Sequence, residues 1–215
     1  RLVYGESDGL PGLVVDRYGS ACVVQIGTAG MEKLKPEIGQ ALDQVLHCES
    51  LLFKNDSPAR DMEGLPGYVE AAKGRFDGLG QVLEDGLEFQ APLAEGQKTG
   101  WFFDQAANRR ALQKYVRRGA RVLDVFSYVG AWGVRALHSG AGEVTWVDSS
   151  AGALELASSN AVRNGGTLAT LKGDAFDVLE SLAGKGARYD MVIIDPPAFA
   201  KRKKDLPKAL AAYKR

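Results

Sequence analysis

The sequence predicts an α/β fold, with a doubly wound parallel sheet in its second half preceded by a small α+β domain. Three observations carry this. From Trp101 onward, short apolar runs alternate with stretches of helical spacing, as they do when parallel strands are joined by helices. Those runs end at or next to an acid: Asp124, Asp148, Asp174 and Asp195. Residues 1 to about 80 differ, with β-branched runs, Gly/Pro-rich loops and one helical stretch.

In chain order, "LVVDRYGSACVVQI" reads as two strands turning through Tyr18, Gly19 and Ser20. Leu34, Ile38, Ala41, Leu42 and Val45 recur at helical spacing. After Lys54, "NDSPARDMEGLPG" and "AKGRFDGLG" read as loops, and "QVLEDGLEFQAPL" as a hairpin turning at Asp85 and Gly86. Asp104 can cap a helix bearing Ala107, Leu112, Tyr115 and Val116. Strand "RVLDVF" follows, then a helix through Val134 and Leu137, then strand "EVTWVD". Ser149 or Ser150 caps the next helix, whose Ala153, Leu154, Ala157 and Ala161 face inward. "ATLKGD" and "YDMVIID" are two further strands, with a helix through Val178 and Leu179 between them.

Composition limits the partners. The 215 residues hold 27 Lys+Arg and 27 Asp+Glu, so overall charge favours no partner, and a nucleic-acid binder must rely on a local patch. No apolar run approaches the roughly 20 residues that span a bilayer, so no membrane partner is expected. Cys22 and Cys48 show neither zinc spacing nor a disulfide framework, and a reducing cytoplasm is the expected compartment. His47 and His138 lack metal-ligand neighbours, so no metal is expected. The chain begins at Arg1 and ends at Arg215 within a basic helical stretch, and is expected to be part of a longer protein.

In a parallel sheet, ligands sit outside the carboxyl ends of the strands. Asp148 is placed there to accept hydrogen bonds from both hydroxyls of a ribose, and Asp174 to reach the exocyclic amine of an adenine. A dinucleotide site needs G-x-G-x-x-G after the first strand, whose bare N–H groups take a pyrophosphate. Here that turn runs Asp124, Val125, Phe126, Ser127, Tyr128, Val129, Gly130. An acid and bulky side chains there suit a cationic sulfonium with an amino-acid tail. S-adenosylmethionine is therefore expected in preference to NAD.

The second half resembles a class I S-adenosylmethionine-dependent methyltransferase, with its Rossmann-like sheet. The whole chain resembles the ribosomal RNA large subunit methyltransferase I family, which methylates carbon 5 of a cytosine. "ESDGLPGLVVDRYG" is similar to that family's middle domain, and "QKTGWFFDQAANR" to its segment before the first Rossmann strand. "LDVFSYVGAWG", "VDSS", "GDAFD" and "DPPAF" are similar to its cofactor and catalytic motifs, in order. The resemblance implies a middle domain over residues 1–90 and a C-terminally truncated methyltransferase domain over 91–215.

It also implies roles. Lys98, Gly100 and Asp104 would close over the methionine end of the cofactor. Asp124, Phe126 and Gly130 would line it, Asp148 and Ser149 hold the ribose, and Asp174 with Ala175 approach the adenine. Asn160 and Asn164 resemble a paired Asn of the family. In "DPPAF", two prolines after Asp195 make a rigid turn without backbone donors. Asp195, Pro196 and Phe199 would present acceptors and an aromatic face to a flipped-out base. The thiolate that must add to carbon 6 of cytosine would follow the next strand, beyond Arg215. Lys201 to Lys204 could touch phosphates of a ribosomal RNA substrate. An unpaired last strand invites self-association, and a homodimer is one form it could take. Methylation of an exocyclic amine of guanine or adenine is the alternative reaction, and a non-catalytic S-adenosylmethionine-binding module the alternative class.

Overall fold

The computed structural model describes residues 1–76, 78–167, 169–200 and 205–214; Lys201 to Lys204 lie outside them. The chain divides into two compact units, Arg1–Leu83 with Gln90–Ala106, and Glu84–Phe89 with Ala107–Arg215. The boundary expected at 90/91 falls within a hairpin strand, and the segment 91–106, assigned from sequence to the second domain, clusters with the first unit.

The first unit is built on a five-stranded sheet in chain order: β1 (Val3–Tyr4), β2 (Leu13–Tyr18), β3 (Ala21–Ile26), β4 (Ser50–Asn55) and β5 (Tyr68–Lys73). β3 and β4 are parallel and the other pairs antiparallel. A parallel pair needs a crossover, supplied by two helices, α1 (Ala29–Lys33) and α2 (Lys35–Leu46), where sequence analysis expected one. Ile38, Leu42 and Leu46 of α2 pack on Leu13, Val15, Val24, Leu51 and Phe53. Ala41 and Val45, expected on that face, are exposed, so the buried stripe follows i, i+4 spacing alone. β5 is not among the expected elements, and its last two residues, Ala72 and Lys73, fall in a stretch expected to be loop; its side chains are mostly exposed, which leaves no clear alternation to read.

Cys22 and Cys48 are a correction. The parallel pairing sets Cys22 opposite Leu51, so Cys48, two residues before β4, lies within reach. The two cysteines are buried, their Cα atoms 6.5 Å apart, and joined as a disulfide. Linear spacing could not show that pairing, because the register of β3 on β4 creates it.

β6 (Leu79–Glu84) and β7 (Leu87–Pro92) form the expected hairpin, with Asp85 at φ 51° and Gly86 at φ 81°, the two positive values of a type I′ turn. Asp104 is not a helix cap. It lies in a 3-10 turn, Phe103–Gln105, and pairs with Lys98 at 2.8 Å. The following α3 (Ala106–Leu112) stops before Tyr115, which is exposed.

The second unit carries a parallel sheet of β8 (Arg121–Val125), β9 (Glu143–Asp148), β10 (Ala169–Lys172) and β11 (Met191–Ile194), in the order β10-β9-β8-β11. Its helices are α4 (Ala131–His138), α5 (Ala151–Arg163), α6 (Ala175–Gly184) and α7 (Leu206–Lys214). Val122, Leu123 and Val125 of β8 and Val144, Trp146 and Val147 of β9 are buried. Ser150, rather than Ser149, caps α5, its Oγ accepting from the Ala153 N–H, and Ala153, Leu154, Ala157 and Ala161 are buried as expected. Arg109 donates to Glu84 through two buried bonds of 2.8 and 2.6 Å, binding α3 to the hairpin tip.

Candidate cofactor crevice

Chain order reverses between β8 and β11, so the crevice of a doubly wound sheet opens at their carboxyl ends. The turn leaving β8 forms its floor. Phe126 (φ 62°), Tyr128 (φ 49°) and Gly130 (φ 81°) all adopt left-handed backbone there. For the two aromatic residues this costs on the order of 1 kcal/mol each, so the surroundings must hold the turn in place. Ser127 N–H donates to Val147 O at 3.1 Å, and Gly130 N–H to Ser127 O at 2.8 Å. Tyr128 N–H donates to Asp148 Oδ2 at 2.9 Å, and Asn160 Nδ2 donates to Val129 O at 3.0 Å.

Two glycines permit this packing. A Cβ on Gly130 would sit 2.8 Å from the Cβ of Ala157, and one on Gly133 would sit 2.1 Å from Trp146 Nε1. Any side chain at either position would push α4 away from α5 and the sheet.

The acids play distinct parts. Asp124 is fully buried; its Oδ2 accepts the Gly133 N–H at 2.9 Å, and its Oδ1 has no partner among the described residues. Burial pushes its carboxyl up to about 8, opposed by the Gly133 N–H and aided by the charges of Asp195 and Asp148. Asp124, expected to line the cofactor, holds the first turn of α4 through that bond. Asp148 is half-buried and accepts Tyr128 N–H through Oδ2 and Ser150 N–H through Oδ1, both at 2.9 Å. Each oxygen keeps a lone pair for a further donor. Asp174 is exposed and caps α6 through the Phe176 N–H at 2.9 Å, with Ala175 buried behind it and Ser149 exposed beside Asp148.

Asp195 is exposed just past β11, and its Oδ2 accepts the indole N–H of Trp132 at 3.0 Å. Pro196 is half-buried. Phe199 is half-buried too, with its ring centroid 6.2 Å from Phe126, 6.0 Å from Phe176 and 4.7 Å from Tyr213. It therefore joins an aromatic cluster while staying partly exposed.

The second unit thus gathers Asp124, Phe126, Gly130, Asp148, Ser149, Asp174, Ala175, Asp195, Pro196 and Phe199 at the carboxyl ends of its strands. Lys98, Gly100 and Asp104 belong to the first unit. Burial works against the charge of Asp104, yet the hydrogen bond and charge of Lys98 hold its carboxyl below the ordinary value. Sequence reasoning missed Trp132 as a support of the crevice, while Ser150 was expected as a helix cap and Asn160 as one of a paired Asn. Trp132 lay inside a quoted motif, "VGAWG", but nothing local showed what its indole would meet. Asn164 bonds both backbone groups of Glu88, so the paired Asn serve the turn and the hairpin tip.

The arrangement suits an adenosyl cofactor. An accessible carboxylate with spare acceptor capacity ends β9, an exposed acid caps the helix after β10, and the turn leaving β8 lacks the G-x-G-x-x-G glycines that take a pyrophosphate. Comparisons with known proteins agree. A family model described as S-adenosylmethionine-dependent methyltransferase matches residues 69–212. A protein of Aeromonas hydrophila named ribosomal RNA large subunit methyltransferase I is 39% identical over 219 aligned positions, covering 100% of this chain and 55% of that protein. A protein of the same name from Klebsiella pneumoniae is 36% identical over 222 positions, covering 100% and 54%. The chain thus spans about half the length of the curated relatives it matches. A solved structure of an assigned methyltransferase complexed with SAH superposes with a TM-score of 0.80 at 27% identity, covering 95% of this chain and 52% of that one. A tRNA m1G37 methyltransferase of M. jannaschii shares the fold, with a TM-score of 0.67 at 22% identity over 93% of this chain and 58% of that one. Motif order, parallel sheet and family match converge, and the chain belongs to the family of S-adenosylmethionine-dependent methyltransferases.

Proposed function

We propose that this chain supplies the cofactor crevice and the base-facing loop of an RNA methyltransferase that modifies carbon 5 of a cytosine in large-subunit ribosomal RNA. The observation that carries the reading is the strained turn 126–130 held against Asp148, at the point where strand order reverses. The names of the relatives at 36–39% identity support the ribosomal substrate.

The cofactor supplies an electrophilic methyl group on a sulfonium. The chain's residues bind and orient. Asp148 accepts from the ribose hydroxyls, Asp174 and the buried Ala175 border the adenine, and the 126–130 turn sets the depth of the methionine arm. Asp195 and the carbonyl of Pro196 face the target base. The nucleophile for carbon-5 chemistry must come from outside the described crevice, because the chain's two cysteines are bonded to each other in the core of the first unit.

That same observation favours the second reading, methylation of an exocyclic amine, in which Asp195 and Pro196 grip the amino group. Methyl transfer from labelled cofactor to ribosomal RNA separates the two. Carbon-5 chemistry predicts no transfer by this chain alone and transfer by the full protein. Robust transfer by the chain alone, indifferent to Cys22→Ala and Cys48→Ala, selects the amine reading. Calorimetry tests the common ground: S-adenosylmethionine binds and NAD does not, and the reverse result would remove both readings.

A further inference from the structure

We infer that Trp132 is a positioning residue for the reaction, its indole N–H holding the carboxylate of Asp195 and tying the "DPPAF" loop to the helix that starts at the cofactor turn. The inference rests on the methyltransferase reading of the crevice above.

The strand-end acids show why such a donor is needed. An Asp leaving a strand commonly fixes its carboxylate on the backbone N–H two residues on. Asp148 does so with Ser150 N–H at 2.9 Å, and Asp174 with Phe176 N–H at 2.9 Å. Asp195 cannot, because the residue two positions on is Pro197, and a proline has no N–H. Pro196 removes the next donor as well. The carboxylate must be held from another element, and Trp132 Nε1 reaches Oδ2 at 3.0 Å.

The holder is well placed. Trp132 is the second residue of α4, directly after Gly130 and Ala131 and beside Gly133, whose N–H is held by the buried Asp124. An indole offers a single N–H on a rigid ring with two side-chain torsions, so it fixes direction as well as distance. A change in the turn when cofactor binds is therefore passed through α4 to Asp195. The acid is aimed at the base when the methyl donor is in place.

Trp132→Phe keeps a ring and removes the N–H. These 215 residues hold three tryptophans, so the indole 1H–15N spectrum of this chain has three signals, and this variant identifies one of them. Asp195→Ala should shift the Trp132 signal and speed its exchange with solvent while leaving that of Trp101 in place. S-adenosylhomocysteine should shift it in the wild-type protein. In methyl transfer by the full protein, Trp132→Phe should lower kcat roughly ten- to 150-fold, as expected for one lost hydrogen bond to a charged group, with KM for the cofactor within about twofold. A Trp132 signal indifferent to Asp195→Ala, or a variant altered in cofactor KM with kcat unchanged, overturns the proposal. If the wild-type protein transfers no methyl to RNA, the RNA reading falls, and the response of the indole signal to Asp195→Ala and to S-adenosylhomocysteine then decides Trp132.

Discussion

At the scale of single residues, Asp124 and Asp148 both stand at strand ends but differ in burial. Asp124 stands where a cationic cofactor would want a charge, yet it is sealed beneath the turn, with its carboxyl pushed up to about 8 by burial. A raised carboxyl gives stability a definite sign with pH. Below the unfolded value near 3.8 both states hold the proton, and between about 3.8 and 8 the unfolded chain loses it while the folded chain keeps it. Stability should therefore fall as pH rises through that window. Asp124→Asn imitates the protonated acid, keeping an acceptor for the Gly133 N–H. Its melting temperature should be flatter between pH 4 and 8, with the gain over wild type greatest near pH 8 and on the order of a few kcal/mol. Parallel melting profiles would refute the buried-acid account. Asp148 is the residue that faces outward. Asp148→Ala should cost roughly 1.5–3 kcal/mol of S-adenosylmethionine affinity by calorimetry. An unchanged dissociation constant would remove it from the site.

At the scale of elements, the crevice depends on how closely α4 can approach its neighbours. Gly130 caps α4 in left-handed backbone, and a Cβ there would meet that of Ala157 at 2.8 Å. Gly130→Ala should destabilise the chain by roughly 2–3 kcal/mol, combining backbone strain with overpacking, and weaken cofactor binding as the turn shifts. Gly152, in the first turn of α5, is a matched control: it is exposed and nothing lies within 4 Å of where its Cβ would be. Gly152→Ala should be neutral or stabilising by up to about 1 kcal/mol. Chemical denaturation of the two variants measures both. Equal losses would show that the cost comes from α-helical glycine replacement in general and not from the close approach of α4 to α5.

At the scale of the whole molecule, the sheet of the second unit is unequally covered. β8 and β9 are buried, whereas Val192 and Ile194 of β11 are 49% and 57% exposed. β11 pairs with β8 on one side only among the described residues. An exposed apolar edge strand pairs readily with other chains. The chain should therefore associate with itself as its concentration rises, and Val192→Lys, placing a charge on that strand away from the crevice acids, should shift it towards monomer. Sedimentation velocity over a concentration series tests this. A wild-type chain that stays monomeric throughout would remove β11 as an association edge.

Much of the second unit could be read from the linear sequence, because alternation of strand and helix, the inward face of α5 and an acid at each strand end are local patterns. The hairpin at Asp85 and Gly86 was equally local, since positive φ at both turn residues favours that pair. Motifs in order along the chain were enough to place it in its family. The tertiary structure decided what no local pattern encodes. Strand register brought Cys22 to Cys48. Asp124 was sealed beneath its turn, since burial depends on what packs above a residue. Phe199 was drawn into a cluster with Phe126, Phe176 and Tyr213, which lie on separate elements. Trp132 met Asp195 across 63 residues of chain. Periodicity records which face of an element is apolar, whereas hydrogen-bond partners and desolvation are set by neighbours distant in sequence, and those determine which acids stay charged and which way they point.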